Sequence, residues 1–415
     1  MGVGEAILAV GAGARPASFE QFQQAIDPEW IDEALAATGK ASLRRRKFPA
    51  EYVIWLVIGM ALFFDRAIAQ VVQHLDLVLP TVRRARLTNG AIVRARNRLG
   101  PAPLAALFRR TAAVWAGAAA ATTRWRGLAV FGLDGTTLRL ADTPENVATF
   151  GRPGTSRGGA AAGYPQLRCV VLSVLRHHLL AAAHFGPYRT SELELAAALW
   201  SELPDRSLVI LDRGFASYAL FHRLGDRAHT RHWLVRARGG RNALRWTRVE
   251  RLGPGDELVD LTPSHGTRAA HRDLPPTLRV RALQVRGRGF RPYVVLTSLL
   301  DAAKYPAAEL GALYHERWEL ELTFDELKTH TLGRVETLRS KAPARVEQEV
   351  WGLWLAYNLV RLIMARAAER VGPPARHPRA SSRYAARPTR TARHPRTTDP
   401  SLPARREDQN EQLPA

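Results

Sequence analysis

The 415-residue sequence contains a single cysteine, Cys169. One thiol cannot form an intramolecular disulfide or a thiolate zinc centre, and its scarcity fits a reducing compartment. Lysine is nearly as scarce: only five of the 60 basic residues, at positions 40, 47, 304, 328 and 341, are not arginine, a bias typical of GC-rich bacterial genes. Acidic residues number 38, leaving a formal net charge of +22. Such a field favours a polyanion, either nucleic acid or an anionic membrane surface. With 46% hydrophobic residues, the charge belongs to a globular surface rather than to a disordered basic chain. Long apolar runs are absent. The longest, Tyr52 to Phe64, has 13 residues, short of the roughly 20 that span a bilayer, and reads as a buried core helix. The opening MGVGEAILAVGAGA places no Lys or Arg before its apolar stretch, so it makes a poor signal peptide. The expected setting is the cytoplasm, with no membrane partner.

Residues 17–122 read as a helical N-terminal domain behind a disordered start (1–16). Phe19 to Leu35 is amphipathic, the basic knot Arg44-Arg45-Arg46-Lys47 precedes the apolar run, and Ile68, Val71, Val72 and Leu75 recur at helical spacing. Short helices with arginine clusters, such as IVRARNRL (92–99), suit either a DNA-binding head or a helical scaffold with solvated arginines.

The texture changes near Arg124. Apolar runs at 128–133 and 208–211, a strand signal over Gln166 to Val174, and helices expected over 192–203 and 217–224 indicate an α/β domain with some parallel pairing. The first run is expected to stop at Asp134-Gly135 and return over Thr136 to Leu140. Residues 236–291 hold 13 arginines, no lysine and five acids, and read as a β insertion with one basic face. The α/β core thus covers 123–235 and 292–370. A long helix is expected from about Ala307 to Thr331, and another through Trp351 to Glu369. Residues 371–415, with nine arginines and eight prolines, are expected to be disordered.

Asp134 and Asp212 each follow a buried run and have a glycine within the next two residues. If their strands are neighbours, both carboxylates emerge at one sheet edge, although an aspartate there is more often a cap or turn residue. On the expected helix, Tyr314, Arg317, Glu321 and Lys328 project from one arc of about 60°. A phenol, a guanidinium, a carboxylate and an ammonium in one line suit a phosphodiester backbone. Three carboxylates can hold two hard divalent cations, Mg²⁺ being the natural choice, for in-line displacement at phosphorus. Asp142 and Asp325 are the competing acids, and Asp325 could substitute for Glu321 on helical geometry alone.

The spacing Tyr314-x2-Arg317-x3-Glu321-x6-Lys328, with the stretches LDGTTLRLADTPEN (133–146) and LDRGF (211–215), resembles the bacterial DDE transposases of the insertion-element-four group. The segment 44–75 resembles their N-terminal helical domain, and the likeness extends over about residues 17–370. The resemblance implies a ribonuclease-H-like catalytic core with a β-rich insertion, preceded by an all-α domain. It favours Glu321 over Asp325 and makes Asp134, Asp212 and Glu321 the catalytic, metal-binding acids. Two Mg²⁺ ions, with Mn²⁺ able to substitute, are the implied cofactors. Tyr314, Arg317 and Lys328 would grip DNA near the cleaved phosphate, and an insertion aromatic, Trp233 or Trp246, would stack near a flipped base. The implied activity is cut-and-paste transposition, with transposon-end and target DNA as partners, a homodimer in the synaptic complex, and a nucleoid-associated location. Family members continue past a YNLVR-like helix (357–361) into further helices, where this chain turns Pro/Arg-rich. A non-catalytic end-binding protein is the alternative, and a ribonuclease-H-type nuclease without end preference is a third possibility. The histidines at 177, 178 and 184 match no zinc spacing, and Arg339-Ser340-Lys341 reads as a phosphate contact or a solvated turn.

Overall fold

The computed structural model describes residues 22–41, 48–78, 88–154, 163–225, 230–240, 243–286, 291–327 and 337–371. The expectations for the N-terminal 16 residues, the basic knot at 44–47, Lys328 and the tail beyond Val371 lie outside them.

The N-terminal part is helical: α1 (Pro28–Ala37), α2 (Ala50–Leu62), α3 (Ile68–Val78), α4 (Asn89–Leu99) and α5 (Ala102–Thr122). Every residue of α2 from Val53 to Ala61 is buried, so the longest apolar run is a core helix. Arginine on these helices is partly structural. Arg96 is only 4% exposed and donates to Gln348 and Ser340 side chains and the Arg345 carbonyl.

The centre is one mixed sheet. Its strands are β1 (Arg124–Trp125), β2 (Leu128–Leu140), β3 (Gln166–Val174), β4 (Leu179–Pro187), β5 (Ser207–Leu211), β6 (Arg231–Arg236), β7 (Arg245–Gly253), β8 (Asp256–Thr262), β9 (Leu278–Val285), β10 (Tyr293–Thr297) and β11 (Thr337–Leu338). The order is β4-β3-β2-β5-β6-β10-β9-β8-β7, with β1 and β11 pairing β2. β2, β3 and β4 run antiparallel, while β5 and β6 run parallel to β2. This is the ribonuclease-H-like arrangement. The 236–291 segment supplies β7, β8 and β9, which continue the same sheet through β10. Arg281, fully buried, forks onto Asp256 at 2.7 and 2.5 Å and donates to the Tyr305 carbonyl at 2.7 Å, tying β8 and β9 to the loop after β10.

Alternation sorts the side chains of β2 and β5 between two cores. Ala129, Phe131 and Leu133 pack with the N-terminal helices and α12 (Pro343–Val371), while Val130, Leu208 and Ile210 pack under α10 (Ala307–His315) and α11 (Trp318–Asp325). Trp354, fully buried, packs near Phe108 of α5 and Phe185 of β4. The smaller helices are α6 (Pro144–Phe150), α7 (Glu192–Ala197), α8 (Tyr218–Leu224) and α9 (His265–Ala270).

Two local expectations are overturned. β2 does not stop at Asp134-Gly135 but continues to Leu140, paired with β3 from Phe131 to Arg139. Gly135 is there for space: a Cβ would lie 2.7 Å from Glu192 Cδ, so the glycine admits the α7 side chain rather than a turn. The expected 307–331 helix is interrupted at Glu316 and Arg317. There the hydrogen bonds tighten to i→i+3, from Arg317 N to Tyr314 O (3.1 Å) and from Leu320 N to Arg317 O (3.0 Å).

Candidate active site

The β2–β5 register pairs Leu133 with Leu211. Asp134 and Asp212 therefore follow the last paired residues of adjacent parallel strands, and both extend the even-numbered face that α10 and α11 cover. Asp212 is also a cap, accepting from Gly214 N at 3.3 Å and starting the 3₁₀ turn Arg213–Phe215. One carboxylate both caps this turn and lines the cleft described below.

Gly132 sets how closely α11 approaches. A Cβ there would fall 2.5 Å from Leu320 Cδ2 and 2.8 Å from Leu175 Cδ1, so only glycine lets Leu320 rest on the strand beside Asp134. Glu321 is the next residue. Asp134, Asp212, Tyr314, Arg317 and Glu321 line one cleft of about 520 Å³, together with Arg213, Arg236, Tyr293, His315 and Trp318. The overwound turn before α11 therefore leaves Tyr314, Arg317 and Glu321 on one wall. Asp142 pairs with Arg152 at 2.6 Å, and Asp325 is exposed and not part of the lining.

Arg317 is the central cation. It donates to Glu321 at 2.7 Å and lies 3.8 Å from Asp212 Oδ1. With the guanidinium between them, no three Asp, Glu, His or Cys side chains converge on one ion position among the described residues.

The N-terminal part, residues 16–109, matches the family described as insertion element 4 transposase N-terminal, and residues 125–359 match the transposase DDE domain. Over 344 residues the chain is 39% identical to the transposase InsG for insertion sequence element IS4 of Escherichia coli K12, covering 83% of this chain and 76% of that protein. The chain belongs to the insertion element 4 family of DDE transposases. It is also 32% identical to the putative transposase InsZ of the same organism, over 72% of this chain and 93% of that one. Among solved structures, a piggyBac transposase synaptic complex with hairpin DNA aligns at a TM-score of 0.41 and 11% identity, covering 84% of this chain and 74% of that one. The protein is thus a DNA transposase, an enzyme of DNA strand cleavage and transfer that depends on a divalent metal. The matched DDE domain spans all three acids, and no observation favours the end-binding alternative.

The electrostatics of the transposase cleft follow from burial. Desolvation pushes the Asp134 carboxyl up to about 6, against the hydrogen bond from Gly135 N (2.7 Å) and with help from the Asp212 charge. Burial likewise pushes the Tyr314 phenol up to about 12. Several cleft residues escaped the sequence reading. Trp318 is 61% exposed, and its one available signal was its position inside the Tyr-Arg-Glu signature. Tyr293, with Arg236 over its ring at 4.7 Å, and Arg213 complete the basic, aromatic rim.

Other assignments need correcting. Trp233 is 1% exposed and stacks on Phe221 at 4.0 Å, so it is a core residue. Trp246, half-buried against the core, keeps part of its surface exposed and is not in conflict with the expectation. Arg339 donates to the Arg66 carbonyl at 2.7 Å and to that of Met60 at 2.5 Å, so it is a structural tie.

Proposed function

We propose that Asp134, Asp212 and Glu321 are the catalytic acids and that this transposase moves an insertion sequence by cut and paste. The observation that carries the reading is the β2–β5 register, with two aspartates just past the last paired residues of adjacent parallel strands and Glu321 in the same cleft. The donor set supports a hard divalent cation, because it offers only carboxylate oxygen. Asp134, Asp212 and Glu321 would hold two Mg²⁺ ions, with Mn²⁺ able to substitute, which when bound activate the attacking oxygen and stabilise the leaving one.

Glu321 takes up that role by releasing Arg317, whose planar guanidinium then suits a phosphate in bidentate fashion. Tyr314 stays protonated at neutral pH and serves as a hydrogen-bond donor to the strand, with Lys328 as the third contact. Trp318 offers an exposed ring to a nucleobase. We assign transposon-end and target DNA as partners, a homodimer as the synaptic form, and the bacterial nucleoid as the place of action. Residues 17–122 form the DNA-binding domain in this reading, 123–235 with 292–370 the catalytic core, and 236–291 the β insertion. Among the described residues, no helix is long and apolar enough to cross a membrane.

Calorimetric titration of the DNA-free protein with Mn²⁺ tests the acid assignment. Wild type is expected to bind, and Asp134→Asn and Asp212→Asn to bind at least about tenfold more weakly. Unchanged Mn²⁺ affinity in both folded variants would refute it.

A further inference from the structure

His178 sits in the β3–β4 turn at φ 57°, a left-handed backbone rarely adopted outside glycine. It is 6% exposed. Its ring spans two carboxylates, with Nε2 2.8 Å from Glu319 and Nδ1 3.2 Å from Glu326. Glu326 also accepts from the Tyr357 hydroxyl at 2.9 Å and faces Arg361 at 3.3 Å. Arg361 donates to the His177 carbonyl at 3.1 and 3.2 Å, and Asn358 pairs with both backbone groups of Leu180 at 2.8 and 2.9 Å. The polar side chains of the YNLVR segment therefore clamp the β3–β4 turn, and the turn clamps the helix that carries Glu321. Glu319, in the first turn of α11, and Glu326, its C-cap, meet the same imidazole. Glu321 lies about 200° around from Glu319, on the cleft side.

We propose that His178 is a positioning residue for strand cleavage: by bridging Glu319 and Glu326 against Tyr357 and Arg361, it fixes the roll of α11 and hence the place of Glu321. This rests on the reading of Glu321 as the third acid. An imidazolium donates to both carboxylates, whereas a neutral ring leaves one nitrogen lone pair facing an anion. Burial alone would lower the His178 pKa, but the hydrogen bonds to Glu319 and Glu326 outweigh burial and the nearby Arg361, so the net shift is upward. A raised histidine contributes stability that is complete below its unfolded pKa of about 6.5 and is lost as pH rises through the folded value. The clamp on α11 therefore loosens on the alkaline side.

The test uses the full chain as wild type, His178→Gln, His178→Ala, Tyr357→Phe and Glu321→Gln. Three quantities are measured across pH: Mg²⁺-dependent single-turnover nicking of a DNA end, affinity for that DNA, and hydrogen exchange of residues 318–327 without metal or DNA. His178→Ala is expected to cut at least about tenfold more slowly, with DNA affinity held within about twofold. Tyr357→Phe loses less. In wild type, exchange of 318–327, corrected for intrinsic rates, steps upward as His178 loses its proton, and the step is absent in His178→Gln. Should His178→Ala fail to fold, His178→Gln and Tyr357→Phe carry the test. A folded His178→Gln protein that cuts at the wild-type rate and keeps the exchange step overturns the proposal. If Glu321→Gln itself cuts like wild type, the assignment of Glu321 fails instead, and the exchange step still reports on the clamp.

Discussion

Asp134 concentrates a conflict that a cation held there, as proposed, would resolve. Its carboxyl is pushed up to about 6, first by burial and then by the neighbouring Asp212. Between its unfolded value near 4 and about 6, the native state binds more protons than the unfolded state, so this group's contribution to stability falls as pH rises through that window. In the proposed site a divalent cation would compete with the proton for the same oxygens. Mg²⁺ is therefore expected to raise the melting temperature clearly at about pH 7.5 and little at about pH 5, and not at all in Asp134→Asn. Differential scanning calorimetry at both pH values checks this, and an equal shift at both would count against it. Arg317 now supplies the positive charge beside Glu321 and Asp212.

Among the elements, α11 owes its position to a missing Cβ. Gly132→Ala would place a methyl carbon 2.5 Å from Leu320 Cδ2, costing about 1–3 kcal/mol as overpacking. Lifting α11 from β2 is expected to slow strand cleavage more than it weakens DNA binding. Adding Leu320→Ala should recover part of the stability, which urea denaturation of the single and double variants measures. The insertion is held differently. Arg281→Met strands a buried Asp256 and is expected to cost about 3–5 kcal/mol, whereas adding Asp256→Leu should restore much of it. The parallel pair β2 and β5 was legible in the sequence because both are continuous apolar runs ending in aspartate. β4 was not: LLAAAHFGP alternates weakly and is alanine-rich. Gly135 read as a turn because the Glu192 side chain that occupies its space is 57 residues away in sequence. The single long helix failed because a period of 3.6 cannot register a local i→i+3 tightening. Trp233 looked like a ligand-facing aromatic, and only the strand's position inside the sheet reveals it as core.

For the whole molecule, the formal charge of +22 predicts steep salt dependence of DNA affinity, each phosphate met by a cation adding about −0.9 to the slope of log K against log salt. Arg317→Ala should make that slope shallower by about one such increment, read by fluorescence anisotropy on a DNA end. The ribonuclease-H-like strands bring the two aspartates together, the helices on the opposite face carry α12, and α12 reaches through the β3–β4 turn to α11. The most direct test of the account is cleavage of DNA bearing the element's own inverted repeats, with and without Mg²⁺, by wild type and Glu321→Gln. Metal-dependent cutting at the repeat boundary, reduced at least about 100-fold in the variant while binding persists, is the predicted result. Cutting by Glu321→Gln at the wild-type rate would contradict the assignment of the third acid and the reading of the cleft built on it.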